Sequence, residues 1–376
     1  MHRSRKHFYL LLMILGVAAI LYRQHTFYRS PLTESSNEKI QALLEDSGRE
    51  VRETEGVFHS IPLEQIVTGN PDPEGIPPIN EPRYESVFAA DQYLDDAGLG
   101  LLVEVDGEHR YYPYQILVWH EVVNDVFNGE NLLVTYNPLT NSGKVFDRTF
   151  GDDAVNFSVS GKLWNSNSLL SDQKSGSLWS QLLGEAVVGE LTGSTLHLYP
   201  SLTISWSVFK TYYPYGEVLS RSTGYDRDYT QDPYEQDSYY ESAAILFPLS
   251  NEDERLHAKT VVFGYHTTGA QTVYRMDEVE QLHVVNDEVG EDSLLVIWDE
   301  ELETVRGFSR QVGQDVLSFS QGDPFFIDDQ TGSLWNQEGE CVGGEYLGAE
   351  LDVLPLENAF WFSWAASYPE TTIYNH

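Results

Sequence analysis

The stretch Asp172-Gln-Lys-Ser-Gly-Ser-Leu-Trp-Ser-Gln181 returns as Asp328-Asp-Gln-Thr-Gly-Ser-Leu-Trp-Asn-Gln337, 156 residues further on. After a one-residue deletion the match continues 155 residues apart: Gly189-Glu190 with Gly344-Glu345, Trp206 with Trp361, and Tyr213-Pro214 with Tyr368-Pro369. Upstream, His120-Glu-Val-Val-Asn-Asp125 and Leu132-Leu-Val-Thr-Tyr136 have weaker partners in His283-Val-Val-Asn-Asp287 and Leu294-Leu-Val-Ile-Trp298. Ordered matches over so long a stretch mean two related units, residues 57–240 and 241–376. Two copies at a period far above the roughly 20–50 residues of solenoid repeats predict one pseudo-symmetric body, or two packed lobes, rather than an extended array.

Around the repeat the chain reads as short strands with few helices. Residues 101–105 and 109–112 flank Asp106-Gly107, the signal of a hairpin. Pro113 opens an expected helix through about residue 127 that buries Ile116, Leu117, Trp119, Val123 and Phe127 and stops near Gly129. Strands are expected at 132–136, 144–148, 157–164, 187–191 and 196–199, and a helix carrying Trp206 and Phe209 before Pro214. The fold class is therefore β-rich α+β. Residues 223–240 are too rich in tyrosine for a free linker and are expected to pack across both units.

The N-terminus reads separately. Arg3, Arg5 and Lys6 precede the apolar run 8–22, and Arg23 follows it. Residues 1–29 thus have the pattern of a signal anchor, a transmembrane helix holding a periplasmic or otherwise extracytoplasmic body, or of a signal peptide cleaved to release a secreted one. Residues 30–56 are polar and acidic and read as a stalk. Residues 1–30 hold five of the 22 basic residues and none of the 59 acidic ones, so the rest of this acidic protein is strongly anionic. It would be repelled by nucleic acid phosphate, which removes DNA and RNA as partners. The single cysteine, Cys341, rules out an intramolecular disulfide and matches Ala186 in the other unit, so it reads as a small buried hydrophobe.

A series of motifs in the first unit resembles one family. They are Gly75-Ile-Pro-Pro-Ile79, Trp119-His-Glu-Val-Val-Asn-Asp125, Val134-Thr-Tyr-Asn-Pro-Leu-Thr140, Phe146-Asp-Arg148, Ser160-Gly-Lys-Leu163, Gly176-Ser-Leu-Trp-Ser-Gln181 and Arg227-Asp-Tyr229. The chain resembles, over about residues 61–374, the bacterial and archaeal family called domain of unknown function 3179. The resemblance brings no established activity. It does imply a departure: members typically carry Thr-Tyr-Cys-Pro-Leu-Cys-Gly, where this chain has Thr135-Tyr-Asn-Pro-Leu-Thr-Asn141. A metal or thiol role for that cysteine pair therefore has no donors in Asn137 and Thr140.

Two readings of the polar residues follow. On the expected helix, His120 would stand with Asn124 and Glu121 with Asp125, facing the 136–140 turn. In a metal-assisted enzyme, His120 would be base or metal ligand, Glu121 and Asp125 its partners, and Arg148 or Lys162 a stabiliser of negative charge. In the leading reading the protein is a non-redox ligand-binding or scaffold protein of the cell envelope, with Tyr136, Asn137, Thr140 and Lys162 lining a pocket for a small molecule. A third possibility, docking of an envelope protein, calls for an exposed aromatic patch. Retention of His283, Asn286 and Asp287 in the second unit points to a partly structural motif. Ser160-Gly-Lys162 lacks the remaining residues of a phosphate loop, and no serine-hydrolase or zinc-helix motif occurs, so no cofactor is specified. The Asp-x-x-Ser/Thr-Gly-Ser-Leu-Trp element suits a tight turn in which the aspartate bonds local amides above a packed tryptophan.

Overall fold

Leu101, Val103 and Val105 alternate with Leu102 along the strand Leu99–Val105, and the two sets are buried in different cores. Successive side chains on a strand point to opposite faces, so apolar residues at adjacent positions mark a strand covered on both sides. The same holds for the meander Val122–Phe127, Glu130–Asn137 and Ser142–Asp147. Val123, Leu132, Val134 and Val145 share a core with Leu101 and Tyr112, while Val122, Leu133 and Phe146 turn to the other side, against Trp179.

The computed structural model describes residues 49–70, 75–150, 153–234, 239–322 and 324–375. The expected anchor and most of the expected stalk lie outside the described residues. Among the described residues no helix is long and apolar enough to cross a membrane. The last stalk residues join the body, because Arg52–Thr54 pairs with Val57–His59 at the edge of a seven-stranded sheet.

Strands dominate and helices are short, a β-rich α+β fold. The hairpin Leu99–Val105/Glu108–Pro113 turns on Asp106 (φ 52°) and Gly107 (φ 77°), the two positive-φ positions of a type I′ turn. Leu202–Ser205 and Glu217–Leu219 flank it. The meander follows, then the antiparallel set Phe157–Trp164, Asn167–Asp172, Leu178–Ser180 and Glu185–Val188. Later in the chain the hairpin Val261–Thr267/Ala270–Arg275 lies between Glu357–Phe360 and Thr372–Ile373. Another meander, Val284–Val289, Asp292–Asp299 and Thr304–Ser309, is followed by Phe319–Gln321, Phe326–Asp328, Leu334–Trp335 and Cys341–Gly343. Cys341 and Ala186 are both buried against the tryptophans of their sets, Trp335 and Trp179.

The expected helix from Pro113 to about 127 is wrong beyond its first turn. Tyr114–Leu117 is helical, but Val122–Phe127 is a strand that turns on Asn128 (φ 48°) and Gly129 (φ 95°) into Glu130–Asn137. His120, Glu121, Asn124 and Asp125 consequently have no i,i+4 neighbours. The helix Trp206–Tyr212 forms as expected, capped by the Ser205 hydroxyl, which accepts from the Val208 amide at 3.3 Å.

The tyrosine-rich segment packs across the halves. Tyr234, Tyr239, Tyr240 and Phe247 pack with Leu139 and Leu163 from one half and Phe360 and Phe362 from the other. Tyr239 donates its hydroxyl to the Leu139 carbonyl at 2.7 Å, and the Phe360 amide donates to the Thr140 carbonyl at 2.8 Å.

Candidate functional site

Glu121 ends the Tyr114–Leu117 turn with φ 55°, and its amide donates to the Leu117 carbonyl at 2.7 Å. The Val122 amide bonds back to the His120 carbonyl at 2.6 Å, closing a three-residue turn around Glu121 that L-residues adopt only under strain. In the other half His283 has φ 63°, and its amide donates to the Val279 carbonyl at 2.7 Å. The Tyr136 amide meets the Glu121 carbonyl, and the Trp298 amide the His283 carbonyl, each at 3.0 Å. His283 therefore shares its turn geometry and its two backbone bonds with Glu121, not with His120.

His120 is fully buried and committed on both nitrogens. A carbonyl can only accept, so Nδ1–H donates to Pro77 O at 2.7 Å and Nε2 accepts from the Tyr229 hydroxyl at 2.7 Å. Burial, with the Arg227 charge adding to it, lowers its pKa to about 4 despite the Pro77 bond. Asp125 is buried too, accepting from Tyr112 Oη at 2.5 Å, from Arg110 Nη1 at 3.0 Å and from the Tyr84 hydroxyl. Arg148 clamps backbone: Nη2 donates to Asp125 O at 2.9 Å and Nε to Leu132 O at 3.2 Å. Neither hydrogen-bonds His120, whose two nitrogens are taken by Pro77 and Tyr229. Among the described residues, no three His, Cys, Asp or Glu side chains converge as a metal-ligand set.

Glu121 heads a buried polar network. Ser168 Oγ donates to Glu121 Oε2 at 2.7 Å and accepts from Asn137 Nδ2 at 2.5 Å. Asn137 Oδ1 accepts from Thr140 N at 3.1 Å and Thr140 Oγ1 at 3.0 Å, and Thr140 meets Ser142 Oγ at 2.8 Å. Gln181 closes the network: Oε1 accepts from Ser142 Oγ and Asn167 Nδ2, both at 2.8 Å, and Nε2 donates to Thr135 Oγ1 at 3.0 Å. Burial pushes the Glu121 carboxyl up to about 7, against the Ser168 bond, which lowers it. Tyr136 stacks on Tyr114 with ring centroids 3.9 Å apart beside this network. Lys162 takes no part in it; it is exposed on Phe157–Trp164, opposite Thr68 and Leu169. So Glu121, Asn137 and Thr140 come together in one buried network, His120, Asp125 and Arg148 serve the framework, and Lys162 is elsewhere.

Three residues that sequence reasoning passed over tie the halves together. Lys144, 1% exposed, donates to Leu182 O at 2.5 Å and contacts the Glu357 carboxylate of the other half. Glu357 Oε1 lies 3.1 Å from His266 Nε2. Burial drives the Lys144 pKa down, which the adjacent carboxylate opposes. Burial, with Lys144 and Arg49 adding to it, lowers His266 to about 4.

Open space lies between the halves. A cleft of about 740 Å³ takes Asn141 and Thr203 from one half and Phe263, Met276, His283 and Trp298 from the other. A second cavity of about 190 Å³ shares His283, Trp298 and Glu300 with it. The sequence signal for this place was the end of the decisive repeat: Gln337, the match of Gln181, lines the smaller cavity.

No curated protein and no solved structure matches the chain. The model of one family, described as protein of unknown function (DUF3179), matches residues 73–371, and the chain belongs to that family.

Proposed function

We propose that this chain is a non-redox ligand-binding protein of the cell envelope, held to a membrane by residues 1–29, with two duplicated units forming one pseudo-symmetric body and the ligand bound between them. The cleft of about 740 Å³ carries the reading, being within the usual 300–1,000 Å³ of small-molecule sites and lined from both halves. The matched turns at Glu121 and His283, and the matched strand order around them, support the duplication. The basic residues ahead of the apolar run 8–22 support the anchor. Glu121 is the feature that favours an enzyme, since a carboxyl near 7 suits acid–base work, but its neighbours Ser168 and Asn137 belong to a closed network.

Differential scanning fluorimetry of the full-length protein in mild detergent, against small amines, carboxylates, sugars and amino acids, tests the cleft. A ligand at 100-fold excess over Kd adds about 2.7 kcal/mol, several degrees in Tm. At least one class should raise Tm, and Met276→Trp, a filling change at a cleft residue exposed at 36%, should abolish the rise. Rises equal in wild type and Met276→Trp would sink the reading. Alkaline extraction of membranes tests the anchor: the full chain should stay in the pellet and a chain lacking residues 1–29 should not.

A further inference from the structure

In the first half, Gln181 is 1% exposed and both ends of its amide are bonded. In the second, Gln337 Oε1 is buried and has no hydrogen-bond partner. The cause is visible in the sequence. Thr135, which pairs with Val122 and accepts from Gln181, is matched by Ile297, which pairs with Val284 and has no hydroxyl. A buried acceptor left without a donor costs about 1–3 kcal/mol.

The Gln337 side chain lines a cavity of about 190 Å³. An apolar cavity of about 150 Å³ holds a benzene, so this one suits a ligand of about seven heavy atoms. Trp298, Phe325 and Phe326 give it aromatic walls, and Glu300, held 3.2 Å from His283 Nε2, stands at the boundary with the larger cleft. Among the described residues, no lysine or arginine lines either space, whereas Glu280, Glu300 and Glu303 all line the cleft. Aromatic walls, the Glu300 carboxylate and the lack of a lysine or arginine favour a positively charged guest.

Resting on the ligand-binding reading above, we propose that the second-half cavity is a site for a small organic ammonium ion, bound among Trp298, Phe325, Glu300 and Gln337 and reached through the cleft. The strain at His283 has a use in this reading, because the positive-φ turn aims that side chain and the start of Val284–Val289 at the cavity.

The test is isothermal titration of the full-length protein in mild detergent with choline chloride. Its neutral carbon isostere, 3,3-dimethylbutan-1-ol, is titrated in parallel, at ionic strength matched with sodium chloride so that diffuse attraction to an anionic body is cancelled. The expected result is saturable one-to-one binding of choline, about tenfold weaker in Trp298→Ala and about fivefold weaker in Glu300→Gln. Gln337→Leu should weaken choline while leaving Tm equal or higher, because it removes a buried unpaired acceptor; that separates ligand loss from misfolding. Equal binding of the isostere, or choline binding unchanged in Glu300→Gln and Trp298→Ala, would overturn the proposal. If choline fails but acetate or glucose raises Tm in wild type and not in Met276→Trp, the ammonium inference falls and the cleft reading stands. If choline fails and no amine, carboxylate, sugar or amino acid raises Tm, both fall.

Discussion

Asp172 shows how one carboxylate can hold a turn. It accepts from the amides of Lys174 (3.0 Å), Ser175 (2.5 Å) and Ser177 (3.1 Å), and from Trp179 Nε1 at 3.0 Å. Asp328 does the same for Thr331, Ser333 and Trp335. Burial raises the pKa of each, and the hydrogen bonds outweigh it, so both end below the usual carboxylate range. Their stability contribution is present above the unfolded carboxyl pKa and is lost as pH falls through the folded one. Asp172→Ala should cost about 3 kcal/mol in denaturant melts, and Asp172→Asn less; a cost below about 1 kcal/mol would contradict the bonding pattern. Glu121 runs the other way. Its folded pKa, about 7, lies above the unfolded value, so the favourable neutral form is present below about pH 4.5 and its contribution is lost as pH rises through 7. Glu121→Gln should therefore be more stable than wild type at pH 8, by on the order of 3 kcal/mol, with the gap closing toward pH 5. A gap independent of pH would mean that Glu121 ionises freely.

At the scale of elements, the turns at Glu121 and His283 hold non-glycine residues at positive φ. A non-glycine residue at such angles pays about 1–3 kcal/mol. His283→Gly should raise stability by about 1 kcal/mol in urea melts, and Glu121→Gly by less, because it also loses the bond from Ser168; destabilisation by His283→Gly would show that the turn is unstrained. The same turn explains what was legible in the sequence. The apolar run at 101–105 and the Asp106-Gly107 pair gave a hairpin that formed as read. At 113–129 the apolar residues suited a helix face equally well, because the strand is covered on both sides, with Val123 and Phe127 in one core and Val122 in the other. Asn128-Gly129 was the discriminating signal, and it was read as a helix stop instead of a type I′ turn. The misplaced helix then put His120 and Asp125 into a site, whereas they hold Pro77 and Arg110. Glu121, Asn137 and Thr140 were legible because their motifs lie close in sequence. Lys144, Glu357 and His266 were not, since their meeting depends on how the two halves pack.

For the whole molecule, the halves are joined by the buried contact of Lys144 with Glu357, by the bond from Asn358 Nδ2 to Asn141 O at 3.1 Å, and by the tyrosine-rich segment. Glu357→Ala leaves a buried amine without its counterion and should cost about 3–5 kcal/mol, whereas Lys144→Met with Glu357→Leu should recover most of it. Additive costs in that double-mutant cycle would mean that the pair does not couple the halves. The two turns also differ in their surroundings: around Glu121 the space is filled by Ser168, Asn137 and Gln181, and around His283 it opens onto the cleft. Histidine modification by diethyl pyrocarbonate, followed by peptide mass spectrometry on the native full-length protein, reads this contrast with no ligand required. His283 should be modified readily and His120 only after unfolding. Modification of native His120 at the rate of His283 would place the open site in the first half and contradict the account.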